Sequence, residues 1–344
     1  MGIQPPPLQQ QIDRLRSAYN DVRQAVVMDD VTRKLSSVTS EIAGLPGRIA
    51  ALRSNGYVFA GYLERKAGTL ASQWEQIDQL VRSAISDEIA RTQQQFDDLT
   101  ELWKNLEQQT HDRNRAILLT QIERSIAALD EEVKAGRQRI EAMYGDVPSN
   151  VAQTGQQIRQ IEEYLKLAQQ AQVAWTPTER LFSAVKARWL KDNKDTPEGA
   201  LFLTDQRLIF EQKEKVGGRF GFGGEMVQQE LWAVPLGAIA QVRPEDKGVF
   251  GGKDLVHLTL KAGDYAAITL EIKEGIDSKA YAHQLNRAIS GDIENERAVP
   301  ADQAQAEAIR QAPTICPTCG ATLPPLLRGM TELTCAYCGT TVRV

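Results

Sequence analysis

The sequence predicts a multidomain α + β protein: a long helical region, then a small β domain closed by a helix, then a module built round four cysteines. Three observations predict this. Apolar residues recur every three or four positions across residues 1–175. Residues 177–292 change to short β-prone runs punctuated by glycine. Cys316, Cys319, Cys335 and Cys338 all fall within the last 29 of the 344 residues. At about 100–200 residues per domain, that length suits two or three units.

Composition excludes several function classes. Apolar content of 42% and charged content of 25% are ordinary for a folded soluble protein. The balance of 40 Lys+Arg against 45 Asp+Glu gives a net charge of −5. A dedicated nucleic-acid binder shows a basic excess instead. No run approaches the 18 apolar residues of a membrane span. Met1 to Leu8 has no basic stretch leading into an apolar one, which predicts no secretory signal, and Pro6 stands where a myristoylation motif needs Ser or Thr. Clustered cysteines with none elsewhere point to one metal site in a reducing compartment. The expected location is therefore cytoplasmic.

Residues 1–175 read as a helical coiled coil or an antiparallel bundle. Leu8, Ile12, Leu15, Tyr19, Val22 and Val26 form one seam, and Met28, Val31, Leu35, Val38, Ile42, Leu45, Ile49 and Leu52 a second. A third runs through Leu70, Trp74, Ile77 and Val81, shifts by four residues, and continues through Ile85, Ile89, Thr92, Phe96, Leu99, Trp103 and Leu106. Leu119, Ile122, Ile126, Leu129, Val133, Gly136, Ile140 and Met143 make the fourth. Such narrow seams demand partner helices. Clear breaks are expected at Gly44–Gly47 and Gly145–Ser149, softer ones at Ser54–Gly56 and near His111. A helix over 57–110 would match 112–144 plus 149–174 in length, so the chain can fold back on itself. A parallel homo-oligomer satisfies the same spacing, and the spacing does not choose.

The Thr176–Glu179 junction ends the helical region. Strands are expected at Leu181–Trp189, at Gly199–Phe210 as two strands about the Thr204-Asp205-Gln206 turn, and at Met226–Ala233, Ile239–Arg243, Leu255–Lys261 and Ala266–Ile272. A helix follows, with Asp277 as its N-cap. The run Gly199-Ala200-Leu201-Phe202-Leu203-Thr204-Asp205-Gln206-Arg207-Leu208-Ile209-Phe210 is similar to the "G-x-L-x-L-T-x-x-R-L-x-F" core of GRAM and bacterial pleckstrin-homology (PH) domains. Trp232-Ala233-Val234-Pro235-Leu236-Gly237-Ala238-Ile239 is similar to their "I-P-L-x-x-I" turn. The resemblance covers residues 176–297. It implies a central PH/GRAM-like β-barrel with a C-terminal capping helix, a docking module rather than an enzyme, and a bacterial cytoplasmic setting.

Two glycine-rich loops, Val216–Gly224 and Gly248–Lys253, lack the sequence of a nucleotide-binding loop. Phe220, Phe222 and Phe250, flanked by Arg219 and Lys253, are the candidate docking residues: apolar tips beside cations suit an anionic lipid surface. Glu211, Glu214, Glu225, Glu245 and Asp246 dilute that field, so lipid binding is expected to be weak. Such docking would place the protein peripherally at the inner face of the membrane.

Residues 298–312 read as a linker helix between Pro300 and Pro313. Residues 313–344 carry the strongest signal. Cys316-Pro317-Thr318-Cys319-Gly320 and Cys335-Ala336-Tyr337-Cys338-Gly339 are two C-x-x-C knuckles separated by fifteen residues. Four soft ligands favour one Zn²⁺, and a fully thiolate-ligated ion leaves no open position, so the zinc is structural. The spacing and flanking β-prone stretches resemble a zinc ribbon. Only Arg328 and Arg343 are basic there, which favours protein contact over nucleic acid. His111 and His283 fall in expected helices and His257 in a strand, with no catalytic constellation visible. The expectation is a non-enzymatic, oligomeric adaptor or scaffold, held by its coil, docking to protein or membrane. The alternative is a regulatory protein associated with nucleic acid through its ribbon.

Overall fold

The computed structural model describes residues 8–176, 178–191, 195–217, 224–247, 252–300, 313–323 and 332–343. The chain divides into two compact units. One comprises Met1–Pro46 with Lys66–Gly155, the other Gly47–Arg65 with Gln156–Val344.

Five helices account for the first half: α1 (Leu8–Ala25), α2 (Asp29–Ser54), α3 (Tyr62–Gln108), α4 (Asp112–Tyr144) and α5 (Val147–Gln169). In the first unit α3 runs antiparallel to both α1–α2 and α4. Tyr19 of α1 packs on Phe96 and Trp103 of α3, with ring centroids 5.0 and 5.3 Å apart. Further along, the Trp74 indole N–H donates to Thr39 Oγ1 at 3.0 Å. Between α3 and α4, Glu88 and Glu132 share Arg91 and Arg139. The seam residues Leu15, Val22, Val81, Phe96, Leu119, Ile122 and Val133 are all buried within this single chain. The folded-back arrangement is therefore the one adopted.

Several helical expectations need correction. No break forms at Gly44–Gly47, because α2 runs through Pro46. An internal proline costs about 3 kcal/mol, but Ile42, Leu45 and Ile49 remain buried on one face and outweigh it. The fourth seam ends on Tyr144, which is buried and edge-on to Trp74, whereas Met143 is exposed. A 3.6-residue helix drifts against a 3.5-residue repeat, and after Ile140 the next inward position is four residues on. His111 lies in the break before α4 with extended backbone, not inside a helix.

The helix expected from residue 57 begins at Tyr62 instead. Tyr57–Ala60 form a separate buried segment in the second unit, and Ala60 holds a left-handed φ of +55°. That conformation is strained for a residue with a Cβ. It is held by the Arg53 guanidinium, which donates to the carbonyls of Tyr57, Phe59 and Ala60. Phe59 is fully buried, edge-on to Phe182 with ring centroids 5.3 Å apart. The Tyr57 hydroxyl donates to the Phe182 carbonyl at 3.1 Å, and the main chain of 58–61 exchanges hydrogen bonds with Glu296 and Ala298.

The β domain is one antiparallel seven-stranded sheet: β1 (Leu181–Trp189), β2 (Glu198–Thr204), β3 (Arg207–Val216), β4 (Glu225–Pro235), β5 (Ile239–Lys247), β6 (Lys253–Leu260) and β7 (Ala267–Ile272). The spatial order is β4-β3-β2-β1-β7-β6-β5. It is not a closed barrel, since β4 and β5 are both edges and do not pair. They are joined by a single 3₁₀ turn, Leu236–Ala238, anchored by the Leu236 N–H to Gln206 and by the Lys261 N–H to the Ala238 carbonyl. Helix α6 (Ser278–Ser290) packs against β5, β6 and β2, with Asp277 accepting from the Ala280 N–H at 2.8 Å as its N-cap. Phe202, Phe210, Trp232, Trp189 and Tyr281 fill the core. Residues 170–176 are not helical: Gln170 closes α5 in a turn, and the backbone N–H groups of Gln172 and Ala174 bond to Glu211 and Glu230 of the sheet.

Gly199 opens the sequence core that carries the PH resemblance, and the reason for glycine there is contact. A Cβ at this position would lie 1.8 Å from the Glu211 carbonyl oxygen across the β2–β3 pair. The last module pairs β8 (Glu332–Thr334) with β9 (Thr341–Arg343), close to the strands expected there. Of the linker helix expected over 298–312, residues 298–300 are not helical and 301–312 lie outside the described residues.

Candidate functional site

The four cysteines come together. Their sulfurs all lie within 4.8 Å of one another, with Cys316 and Cys338 3.6 Å apart and Cys319 and Cys335 also 3.6 Å apart. All four are free thiols. Each C-x-x-C segment is a tight turn closed by glycine. The Gly320 N–H donates to the Cys316 carbonyl and the Gly339 N–H to the Cys335 carbonyl, both at 2.9 Å. Both glycines take left-handed φ values, +71° and +73°, which a side chain would resist. An isolated Ile315–Thr322 bridge closes the first turn, and the β8–β9 pair closes the second.

The donor set fits a tetrahedral cation. Sulfurs about 2.3 Å from a zinc ion stand roughly 3.8 Å apart, close to both 3.6 Å separations. The thiols also show why a cation is needed. Hydrogen bonding with the Thr340 side chain and backbone N–H draws Cys338 down to about 6. The Ala321 N–H acts to lower Cys319, yet desolvation and the three neighbouring sulfurs push it up to about 12. Four adjacent sulfurs resist becoming thiolates together without a positive charge among them. Among the described residues, the module's core is Leu323 and Leu333 packed with Cys316 and Cys335, with Ala321 and Val342 against them. Four such cysteines can bind a metal ion, and the set is consistent with zinc.

The candidate docking residues stand differently. Arg219, Phe220, Phe222 and Phe250 lie outside the described residues. Lys253 is the exposed first residue of β6, 3.9 Å from Glu271. Strand direction separates the two glycine-rich loops. In the antiparallel order, Val216 and Glu225 mark the end of the sheet reached by the C-terminus of β1. Lys247 and Lys253 mark the opposite end.

A buried polar knot at the start of the β domain escaped the sequence reading. Glu179 is fully buried in its side chain and accepts from Arg207 Nε at 3.2 Å and Nη2 at 2.8 Å. It also accepts from the Thr176 N–H and hydroxyl at 3.0 and 3.1 Å. Beside it, Thr204 Oγ1 accepts the N–H groups of Gln206 and Arg207, and Asp205 accepts the Arg180 N–H and pairs with Arg297. The threonine, aspartate and arginine of the "T-x-x-R" motif thus fasten the incoming chain to the first hairpin. Across β5, β6 and β7, His257 Nε2 lies 2.8 Å from Glu245 and Nδ1 3.1 Å from Thr269. These three residues are scattered in sequence and meet only by strand register.

Comparison with known proteins gives fold-level likeness alone. No family model matches the chain, and no curated protein matches it. Among solved structures, a pleckstrin-homology domain from Shewanella amazonensis SB2B is 23% identical, covering 37% of this chain and 97% of that one at a TM-score of 0.26. A DUF1696-family protein with a pleckstrin-homology domain from Shewanella loihica PV-4 is 17% identical, covering 37% and 91% at 0.23. The DH/PH domain of human ARHGEF11, solved with human RhoA and its inhibitor, is 14% identical, covering 83% and 94% at 0.26. Structural neighbours thus include PH domains over about a third of the chain. Among the described residues, no helix is long and apolar enough to cross a membrane.

Proposed function

We propose that this chain is a non-enzymatic adaptor or scaffold with two contact modules. The PH/GRAM-like sheet docks to a protein or to a membrane surface, and the cysteine module is a zinc ribbon offering a second protein contact. The convergence of Cys316, Cys319, Cys335 and Cys338 on one point carries the reading. A closed four-thiolate site is a structural device, and two small rigid surfaces joined to a long helical bundle suit holding partners in place. The PH-like strand order supports the docking half. Because the heptad seams are consumed inside one chain, any homo-oligomer must use another surface. A cytoplasmic location accords with four unpaired cysteines.

Metal analysis of the purified full chain tests the carrying observation. About one zinc per chain is expected, and less than about half an equivalent contradicts the site. Flotation of the full chain with vesicles of phosphatidylcholine, with and without phosphatidylserine, tests the lipid version of docking. Weak, salt-sensitive binding to the anionic vesicles is expected, reduced by Phe220→Ser with Phe222→Ser. Equal behaviour of the variant, or no binding at all, removes lipid and leaves protein as the partner.

A further inference from the structure

The two cysteine turns are built alike but are not equivalent. In each, the first cysteine's N–H donates to the carbonyl two residues past the second cysteine: Cys316 to Ala321 at 2.8 Å, Cys335 to Thr340 at 2.9 Å. In each, the backbone N–H of that same residue also reaches the second cysteine's sulfur, Ala321 to Cys319 and Thr340 to Cys338. The matching positions differ in one group. Ala321 has a methyl, whereas the Thr340 hydroxyl lies 3.2 Å from Cys338 Sγ. In both turns the first cysteine, Cys316 or Cys335, is buried and the second, Cys319 or Cys338, is exposed. An exposed sulfur competes with water and with electrophiles for its lone pairs. It therefore gains most from a fixed donor.

Resting on the zinc reading above, we propose that Thr340 is a positioning residue for the metal: the Cys338 thiol donates to its hydroxyl in the metal-free chain, and once that sulfur is a metal-bound thiolate with no proton to give, the hydroxyl turns to donate to it, holds that exposed ligand in place and takes up part of its charge. Groups hydrogen-bonded to a metal ligand typically change affinity by about 10–100-fold when removed.

Thr340→Val keeps the shape and removes the donor, and Thr340→Ser keeps the donor and removes the methyl. Zinc affinity of the full chain is measured by chelator competition, and cysteine reactivity by alkylation of the zinc-loaded protein with mass-spectrometric mapping. Thr340→Val is expected to bind zinc about tenfold more weakly, with Cys338 moving to the front of the alkylation order. Thr340→Ser should behave as the parent. In cobalt-substituted protein the sulfur-to-metal charge-transfer band should shift for Thr340→Val alone. The proposal is overturned if Thr340→Val matches the parent in affinity and alkylation order, or if Thr340→Ser falls as far as Thr340→Val. A parent protein that binds neither zinc nor cobalt overturns the metal reading itself and this role with it.

Discussion

Arg207 and Glu179 form a two-pronged ion pair across the start of the β domain, with the Glu179 carboxylate shut off from solvent and Arg207 15% exposed. Twenty-eight residues separate them in sequence. Arg207 also donates to the Ala174 carbonyl at 2.9 Å, so one guanidinium ties the chain leaving α5 to the β2–β3 hairpin. Removing one partner of a buried pair leaves the other charge uncompensated, at a cost of about 3–5 kcal/mol.

Arg207→Ala should therefore cost several kcal/mol, and Arg207→Ala with Glu179→Ala should cost less than the sum of the two single changes. Urea unfolding of the four proteins reads this directly. Additive losses would mean the pair is not coupled.

Two glycines should answer unequally to alanine. At Gly199 the new methyl meets a backbone carbonyl that cannot move without breaking the β2–β3 pair. Gly199→Ala should therefore unfold the sheet or sharply lower its melting temperature. At Gly136 the methyl meets Glu88 from Cγ outward, so the whole side chain must turn away from its ion pairs with Arg91 and Arg139. The gain of about 1 kcal/mol from replacing a helical glycine offsets part of that loss. Gly136→Ala should lower the melting temperature far less than Gly199→Ala.

The Tyr57–Ala60 segment should prove part of the β domain. Phe59→Ala removes a fully buried ring packed on Phe182 and lying under the Arg297 guanidinium, 4.8 Å from its centroid. A loss of about 3–5 kcal/mol is expected. A fragment of residues 176–297 alone should fold poorly, and adding the 47–65 peptide in trans should raise its melting temperature. No response to the peptide would count against the segment's role.

Acid should weaken the sheet through Glu271. Burial acts to raise its pKa, but the hydrogen bond from Lys273 at 2.7 Å, with the charges of Lys273, Lys253 and Arg188, brings it below the usual 4.5. A folded-state pKa below the unfolded one adds stability that is present above pH 4.5 and lost as pH falls through the lowered value. Glu271→Gln should flatten the stability curve in that acid window, and Lys273→Ala should move the loss to higher pH. An unchanged acid limb in Glu271→Gln would show that other carboxylates set it.

Local chemistry made much of this legible. The heptad seams, the Asp277 cap, the Thr204-Asp205-Gln206 turn and the paired cysteines each depend on neighbours within a few residues, and the chain places them as their spacing implies. Sequence spacing failed where a distant contact overruled a local preference. Pro46 sits inside a helix because its flanking apolar face is buried. Past Gln170 the chain leaves the helix, and carboxylates on β3 and β4 take the N–H groups of Gln172 and Ala174.

By itself, then, the sequence determined the order of the modules, the four sulfurs that can hold a metal ion and the apolar faces that need covering. Each of these is written in short-range periodicity or in residue chemistry. Only the tertiary structure decided what covers those faces, that the sheet stays open between β4 and β5, and that the two glycine-rich loops leave it at opposite ends. It alone brought Glu179 to Arg207 and Phe59 to Phe182. Partners so far apart in the chain are chosen by global packing, which no local pattern encodes.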